Sequence, residues 1–176
     1  DSASQIGLGS LKDFIWCLDP LDGTANFIGG LGLYGISIAL LHLGYPVVGS
    51  IYIPEGLTSG GVYHARIGGG ALYEDTPLEV CDHRLPISSG LMALPANAES
   101  VFYIKKGRSY KLGETRVTGS MSCEMVLVSA GKFQYSLMWK PHIWDVAAGA
   151  VLINEAGGAI LEWVKGDWKV FTDFNP

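Results

Sequence analysis

The stretch Val146-Ala-Ala-Gly-Ala-Val-Leu-Ile153 constrains this chain more than any other feature. It is Ala-rich, Asp145 stands at its head and Gly157-Gly158 closes it, so the sequence predicts a helix over 145–156. No face of that helix is polar, and a helix that is apolar all round is stable only when it is covered on every side. The rest of the chain must therefore supply a layer on each flank. With 48% apolar residues among 176, it has the material for one sizeable core.

The flanking layers are legible as β-prone runs. Phe14-Ile-Trp-Cys-Leu18 has the length and bulk of a buried strand, and Asp19-Pro20 is expected to end it because proline cannot donate to a ladder. Tyr34 to His42 and Val47 to Ile53, joined by Leu43-Gly-Tyr-Pro46, are expected to pair antiparallel. Gly61 to Ile67 gives a third strand, ended by Gly68-Gly-Gly70, and Ala71-Leu-Tyr73 a short further segment. This first part, residues 1–86, reads as a meander sheet. In the second part, residues 87–176, Leu91 to Leu94 is a strand candidate, and Ser100 to Lys111 is a mixed, basic stretch of helical character. Met121, Met125 and Val128 recur at helical spacing from Ser120 to a stop at Gly131, with Glu124 in the first turn, where it suits the helix dipole. Ala159 to Trp163 and Trp168 to Phe171 make a closing hairpin around Lys165-Gly-Asp167. Sheet, helices and sheet imply a layered α/β (α+β) domain in which the two parts form one compact unit.

Candidate chemistry concentrates in Trp16-Cys-Leu-Asp19-Pro-Leu-Asp22-Gly-Thr-Ala-Asn-Phe27. Two carboxylates stand where a strand runs out into a turn, and Pro20 stiffens that turn so that both can aim at one place. Asp22-Gly23-Thr24 resembles the start of a short helix or turn whose N–H groups hold a phosphate oxygen. Taken alone, such a turn is more often a plain one with Asp19 as its cap. Asp145 shifts the balance as a third carboxylate at the mouth of a buried helix, although by itself it reads equally as an N-cap. Hard oxygen ligands without His or Cys suit Mg²⁺.

On these residues rests a family resemblance. Trp16 to Phe27 resembles the DPxDGTxNF motif, and Trp144-Asp-Val-Ala-Ala-Gly149 followed by Glu155-Ala-Gly-Gly158 resembles the WDxAAG…EAGG motif, of the inositol monophosphatase family. These are Mg²⁺-dependent, lithium-sensitive phosphatases, grouped with bisphosphate nucleotidases and fructose-1,6-bisphosphatases. The resemblance covers nearly the whole chain. It implies a layered α/β/α/β/α sandwich of the sugar-phosphatase type, with its N-terminal helices lying ahead of Asp1, and a homodimer. The implied activity is a Mg²⁺-dependent phosphomonoesterase that hydrolyses a small sugar or cyclitol phosphate with metal-activated water, at a site of two or three ions. Carried over by position, Asp19 would bridge two metals, the Leu21 carbonyl would be a ligand of one of them, and Asp22 and Asp145 would hold the second. Gly23 and Thr24 would donate backbone N–H bonds to the phosphate, and the Thr24 hydroxyl would orient the attacking water. Gly119 and Ser120, in Arg116-Val-Thr-Gly-Ser120, would contact the substrate hydroxyls. A further metal-ligating Glu of the family falls upstream of Asp1. The position whose carboxylate binds inositol hydroxyls in the animal enzymes is Met138 here. Fructose 1,6-bisphosphate, a bisphosphate nucleotide or histidinol phosphate therefore stand beside inositol phosphate as substrates. A non-catalytic regulatory protein that binds metal or sugar phosphate is the alternative from another class.

Other classes are disfavoured by composition. A net charge of −5 with no basic run offers little to a phosphate backbone, so no nucleic-acid partner is expected. Leu31 to Leu43, the longest apolar run, is interrupted by Gly32, Gly35, Ser37 and His42 and is too short to span a bilayer; no signal pattern opens the chain. Cys17, Cys81 and Cys123 form no CxxC and fit a reducing, cytoplasmic compartment. The chain starts without Met and enters a strand almost at once, which reads as a piece of a longer protein. His142 is expected to be a wall residue, and Cys17, on the same side of its strand as Asp19, a core thiol. His42, His64 and His83 have no partners at ligand spacing, and Lys105, Lys106, Arg108 and Lys111 read as a solvated helix face.

Overall fold

A computed structural model of the chain describes residues 13–55, 59–82, 85–102 and 112–174. Six strands, β1 (Phe14–Asp22), β2 (Gly35–His42), β3 (Tyr45–Glu55), β4 (Ser59–Arg66), β5 (Ala71–Tyr73) and β6 (Thr76–Pro77), lie in chain order in one antiparallel sheet. Alternation decides its faces: along β2, Gly35, Ser37, Ala39 and Leu41 turn inward while Ile36 and Ile38 turn out. The β2–β3 connection is tighter than the sequence suggests. His42 pairs with Tyr45, so Leu43 and Gly44 alone make the turn, both at positive φ, a geometry whose twist matches that of the strands. Pro46 falls at a register shift beside Leu40 and Leu41, where a missing donor is tolerated.

β1 departs from expectation twice. It is an edge strand, with Ile15, Trp16 and Leu18 exposed rather than buried. It also does not stop at Asp19-Pro20 but runs on to Asp22, through a register shift between Asp19, opposite Ser37, and Asp22, opposite Gly35. An edge position within a bulge is where a strand accepts proline. In an unbroken strand residues three apart face opposite sides; the shift brings Asp22 round to the side of Asp19. The short helix α1 (Thr24–Ile28) follows directly.

Pairing sets Cys17, Ala39, Gly49, Ala65 and Ala71 side by side across five strands. This row of small residues is a trough, and α4 (Ile143–Glu155) lies in it: Ala147, Ala148, Val151 and Leu152 share one buried cluster with Ala39, Ala65 and Ala71. A Cβ at Gly49 would stand 2.3 Å from the Ala148 carbonyl oxygen and 2.8 Å from its Cα, so glycine alone lets sheet and helix touch there. On the other side of α4, a Cβ at Gly149 would stand 2.6 Å from the Cβ of Met125 on α3 (Met121–Ser129). Ala147 to Ile153 are thus all buried, and Val146 partly so. The helix begins at Ile143, so Asp145 is its third residue rather than its cap.

Beyond the two helices, Met125, Leu127, Val128, Ala150 and Ile153 join Ala93 and Phe133 in a second cluster. It packs on a parallel sheet of order β8-β7-β9, formed by β7 (Leu91–Ala93), β8 (Glu114–Arg116) and β9 (Tyr135–Ser136). The sequence shows β7; β8 and β9, of three and two residues, are too short for any period to register. Of the basic stretch only its start is described, as α2 (Ala98–Val101); Lys105, Lys106, Arg108, Lys111 and also His83 lie outside the described residues. The closing hairpin, β10 (Leu161–Val164) with β11 (Asp167–Val170), forms as expected and is largely exposed.

Sheet, helix pair and sheet make the β/α/β centre of the expected α/β/α/β/α sandwich. The outward face of the large sheet is apolar and exposed at Trp16, Leu18, Ile36, Ile38, Val48 and Tyr52. Among the described residues no helix is long and apolar enough to cross a membrane.

Candidate metal centre

Carboxylate oxygens of Asp19, Asp22 and Asp145 lie within 4.8 Å of one another, and all three residues are half-buried. Three elements bring them together: the bulge of β1, the N-terminus of α3 and the first turn of α4. Ser37, opposite Asp19 in the ladder, donates its hydroxyl to the Trp144 carbonyl at 3.0 Å and so ties the start of α4 to β2. Each carboxylate is then fixed by one oxygen. Asp19 Oδ1 accepts from the Leu21 N–H at 3.0 Å, and Asp145 Oδ2 accepts from the His142 N–H at 2.7 Å. Asp22 Oδ2 accepts from the Ser120 hydroxyl at 2.6 Å and the Ser122 N–H at 2.7 Å. Asp22 and Asp145 both stand at helix N-terminal ends, where the backbone dipoles favour negative charge.

Burial pushes the Asp19 carboxyl above its ordinary value, the charges of Asp22 and Asp145 push the same way, and the Leu21 amide opposes them. Burial first, and then the charges of Asp145 and Asp19, also raise the Cys17 thiol, which makes it a poor nucleophile. The Arg116–Glu114 ion pair is exposed and includes none of these carboxylates. Three converging carboxylates with no cationic side chain paired to them among the described residues, each with a second oxygen to offer, form an all-oxygen donor set, and a hard divalent cation such as Mg²⁺ fits it.

The neighbouring motif residues are fixed by local geometry. Gly23, at φ 81°, precedes α1, and a Cβ there would stand 2.7 Å from the Leu33 carbonyl oxygen. Only glycine is comfortable at such a turn. The Thr24 hydroxyl donates to the Leu21 carbonyl at 2.9 Å, so these two expected site residues touch. Ser120 is buried and caps α3, accepting from the Cys123 N–H at 3.2 Å. Its hydroxyl engages Asp22, so it reaches the site by holding a carboxylate. Gly119, at φ 74°, lies against Asn26. His142 stacks on Trp144 with ring centres 4.5 Å apart and takes no place among the carboxylates. Beside the triad opens a cavity of about 240 Å³ lined by Asp22, Gly119, Ser120 and Asp145 and, on its far wall, by Leu137 and Met138.

Four residues to which the sequence assigns no place at the site, Asn26, Thr118, Glu124 and Ser136, hold this arrangement. Asn26 donates from Nδ2 to the carbonyls of Leu33 and Thr118, at 2.7 and 2.9 Å, and so pins α1 to the loop before α3. Glu124 is buried and accepts from the hydroxyls of Thr118 and Ser136. The only signal for it in the sequence was an acid inside a largely apolar helical run, since its partners, six and twelve residues away, lie outside the helix and at no helical spacing from it.

The sequence model of the inositol monophosphatase family matches residues 3–174. The inositol-1-monophosphatase of Mesorhizobium japonicum is 34% identical over 158 residues, which are 86% of this chain and 58% of that protein. A Neisseria meningitidis protein named as a candidate Nus factor, SuhB, is 34% identical over 155 residues, 85% of this chain and 58% of its own length. The chain therefore spans 58% of the length of each of these relatives. Among solved structures, the extragenic suppressor protein suhB of Bartonella henselae superposes with a TM-score of 0.70 at 29% identity, covering 85% of this chain and 60% of that one.

Proposed function

Since the chain belongs to the inositol monophosphatase family, we propose that it carries the metal-binding face of a phosphatase that hydrolyses small phosphomonoesters. The observation that carries this reading is the triad of Asp19, Asp22 and Asp145, convergent within 4.8 Å, paired with no described cation, and with Asp22 and Asp145 lining a cavity. Mg²⁺ held there supplies positive charge that polarises a phosphoryl group and lowers the pKa of water. In this reading Asp19, the Leu21 carbonyl, Asp22 and Asp145 hold the metal. The Gly23 and Thr24 N–H groups, at the head of α1, take phosphate oxygens. The Thr24 hydroxyl, whose proton is used on the Leu21 carbonyl, keeps lone pairs with which to accept from and orient the attacking water. Gly119 and Ser120 face the leaving group from one side of the cavity and Met138 from the other. A thioether cannot accept paired hydroxyl bonds, which favours small sugar phosphates or other monoesters over a cyclitol phosphate. The family supports a homodimer, and three cysteines without a disulfide support a reducing, cytoplasmic location.

The test is phosphate release from a panel of small monoesters by the full-length protein with Mg²⁺, beside Asp19→Asn. An amide is a neutral, poor substitute for a carboxylate between cations, so the variant is expected to lose activity by about a thousandfold or more with its fold intact. Retention of a tenth of wild-type turnover overturns the assignment. A relative named for a Nus-factor role supports a second, regulatory reading. Intact Mg²⁺ binding without phosphate release from any ester favours that one.

A further inference from the structure

One buried carboxylate takes no part in the proposed reaction. Glu124, on the first turn of α3, is 5% exposed. An ionisable group in an apolar wall is costly unless bonded, and this one is bonded at both ends. Oε1 accepts from the Thr118 hydroxyl at 2.6 Å and Oε2 from the Ser136 hydroxyl at 2.5 Å. The two hydroxyls sit behind different stretches of the cavity lining, Thr118 between Val117 and Gly119 and Ser136 next to Leu137. Thr118 opens the loop whose Ser120 holds Asp22, and its carbonyl takes Asn26 of α1. Ser136 ends β9 and is followed by Leu137 and Met138, which line the cavity together with Glu124 itself. Among the described residues no other side-chain hydrogen bond joins these two walls.

We propose that Glu124 is a positioning residue, a strut that fixes the gap between the loop holding Asp22 and the Leu137–Met138 wall and thereby selects the leaving group. The selection rests on the phosphatase reading above; the strut does not. A carboxylate suits the task because its two oxygens diverge, and hydroxyl bonds to it are stronger than bonds between neutral groups. Burial raises the Glu124 carboxyl and the two hydroxyls oppose that shift. Glutamine can keep both contacts, since its oxygen accepts from one hydroxyl and its N–H donates to the other. Leucine can keep neither.

The experiment uses the full-length protein with Mg²⁺ and two monoesters of unlike leaving group, glycerol 2-phosphate and p-nitrophenyl phosphate. Glu124→Leu and Ser136→Ala cut the strut, and Ser136→Ala does so at a strand end, outside the core of α3, where folding is less at stake. Both are expected to shift the ratio of the two KM values by about tenfold with a smaller change in kcat, while Glu124→Gln stays within about twofold of wild type. Thr118→Val and Ser136→Ala are expected to give similar shifts singly and little more together, because each breaks the same link. Amide exchange gives a readout that needs no turnover: Thr118→Val is expected to speed exchange at residues 135–138, across the cavity. Equal losses on both esters, additive shifts, a Glu124→Gln variant as impaired as Glu124→Leu, or unchanged exchange at 135–138 overturns the strut. Absence of phosphate release by wild type overturns the phosphatase reading instead, and exchange then decides the strut by itself.

Discussion

Replacing Gly49 by alanine tests the link between packing and site, because the residue is remote from the carboxylates in sequence yet sits under the helix that carries Asp145. The added Cβ would meet the Ala148 carbonyl oxygen at 2.3 Å, its Cα at 2.8 Å and its carbonyl carbon at 2.9 Å. Those atoms are helix backbone and the methyl sits on strand backbone, so no rotamer relieves the overlap; α4 and the sheet must separate by about 1 Å to reach ordinary contact. Overpacking costs about 1–3 kcal/mol, and with both partners in regular elements the upper end applies. For a chain of this size about 3 kcal/mol lowers Tm by roughly 10 °C. Asp145 rides on the same rigid helix, one turn before Ala148, so it moves against Asp19 and Asp22 by about the same 1 Å, a displacement that costs on the order of a hundredfold in a catalytic geometry. Thermal melts, Mn²⁺ titration and phosphate release on Gly49→Ala check the three parts. The clash is with backbone, so adding Ala148→Gly is expected to restore nothing. A Gly49→Ala protein that melts within a degree or two of wild type, or one rescued by Ala148→Gly, refutes the trough as the device that seats Asp145.

Mg²⁺ at a hundred times its dissociation constant is expected to stabilise the folded protein by about 2.7 kcal/mol, and Asp22→Asn to abolish the shift; equal thermal shifts in the two proteins would count against the triad as the binding site. The Glu124 carboxyl is raised, chiefly by burial, so the folded protein holds that proton more tightly than the unfolded chain does. Its contribution to stability is therefore full below the ordinary glutamate value and is lost as pH rises through the raised folded value. In urea unfolding of the metal-free protein between about pH 4 and 7, Glu124→Gln is expected to flatten that decline, and a slope equal to wild type refutes it. Met138→Glu is expected to raise kcat/KM for inositol 1-phosphate relative to a competing monoester; a ratio that does not move shows that residue 138 does not face the leaving group.

Much of the site was written locally. Asp19-Pro-Leu-Asp22-Gly-Thr24 carries its own turn, since Gly23 must adopt positive φ and Pro20 fits only where no ladder donor is needed. The helix at Val146 to Ile153 declared its burial because it has no polar face. What stayed hidden had no local period to betray it: the bulge that turns Asp22 toward Asp19, the strands Glu114–Arg116 and Tyr135–Ser136, and the pairing of Glu124 with Thr118 and Ser136. The exposure of Ile15, Trp16 and Leu18 was misjudged for a related reason, as a run of bulky residues has the same sequence at a sheet edge as at its centre.

By itself the sequence determined which of the longer segments are helix or strand, which helix must be enclosed, and which residues could hold a hard cation, because backbone preference and side-chain chemistry are properties of a residue and its near neighbours. Tertiary structure alone decided that Cys17, Ala39, Gly49, Ala65 and Ala71 fall into one row, that α4 settles in that row, and that Asp145 therefore arrives beside Asp19 and Asp22. A register shift of one residue would turn bulky side chains into the trough and lift the helix away. The choice of register is made by the free energy of packing residues distant along the chain, which no local pattern contains.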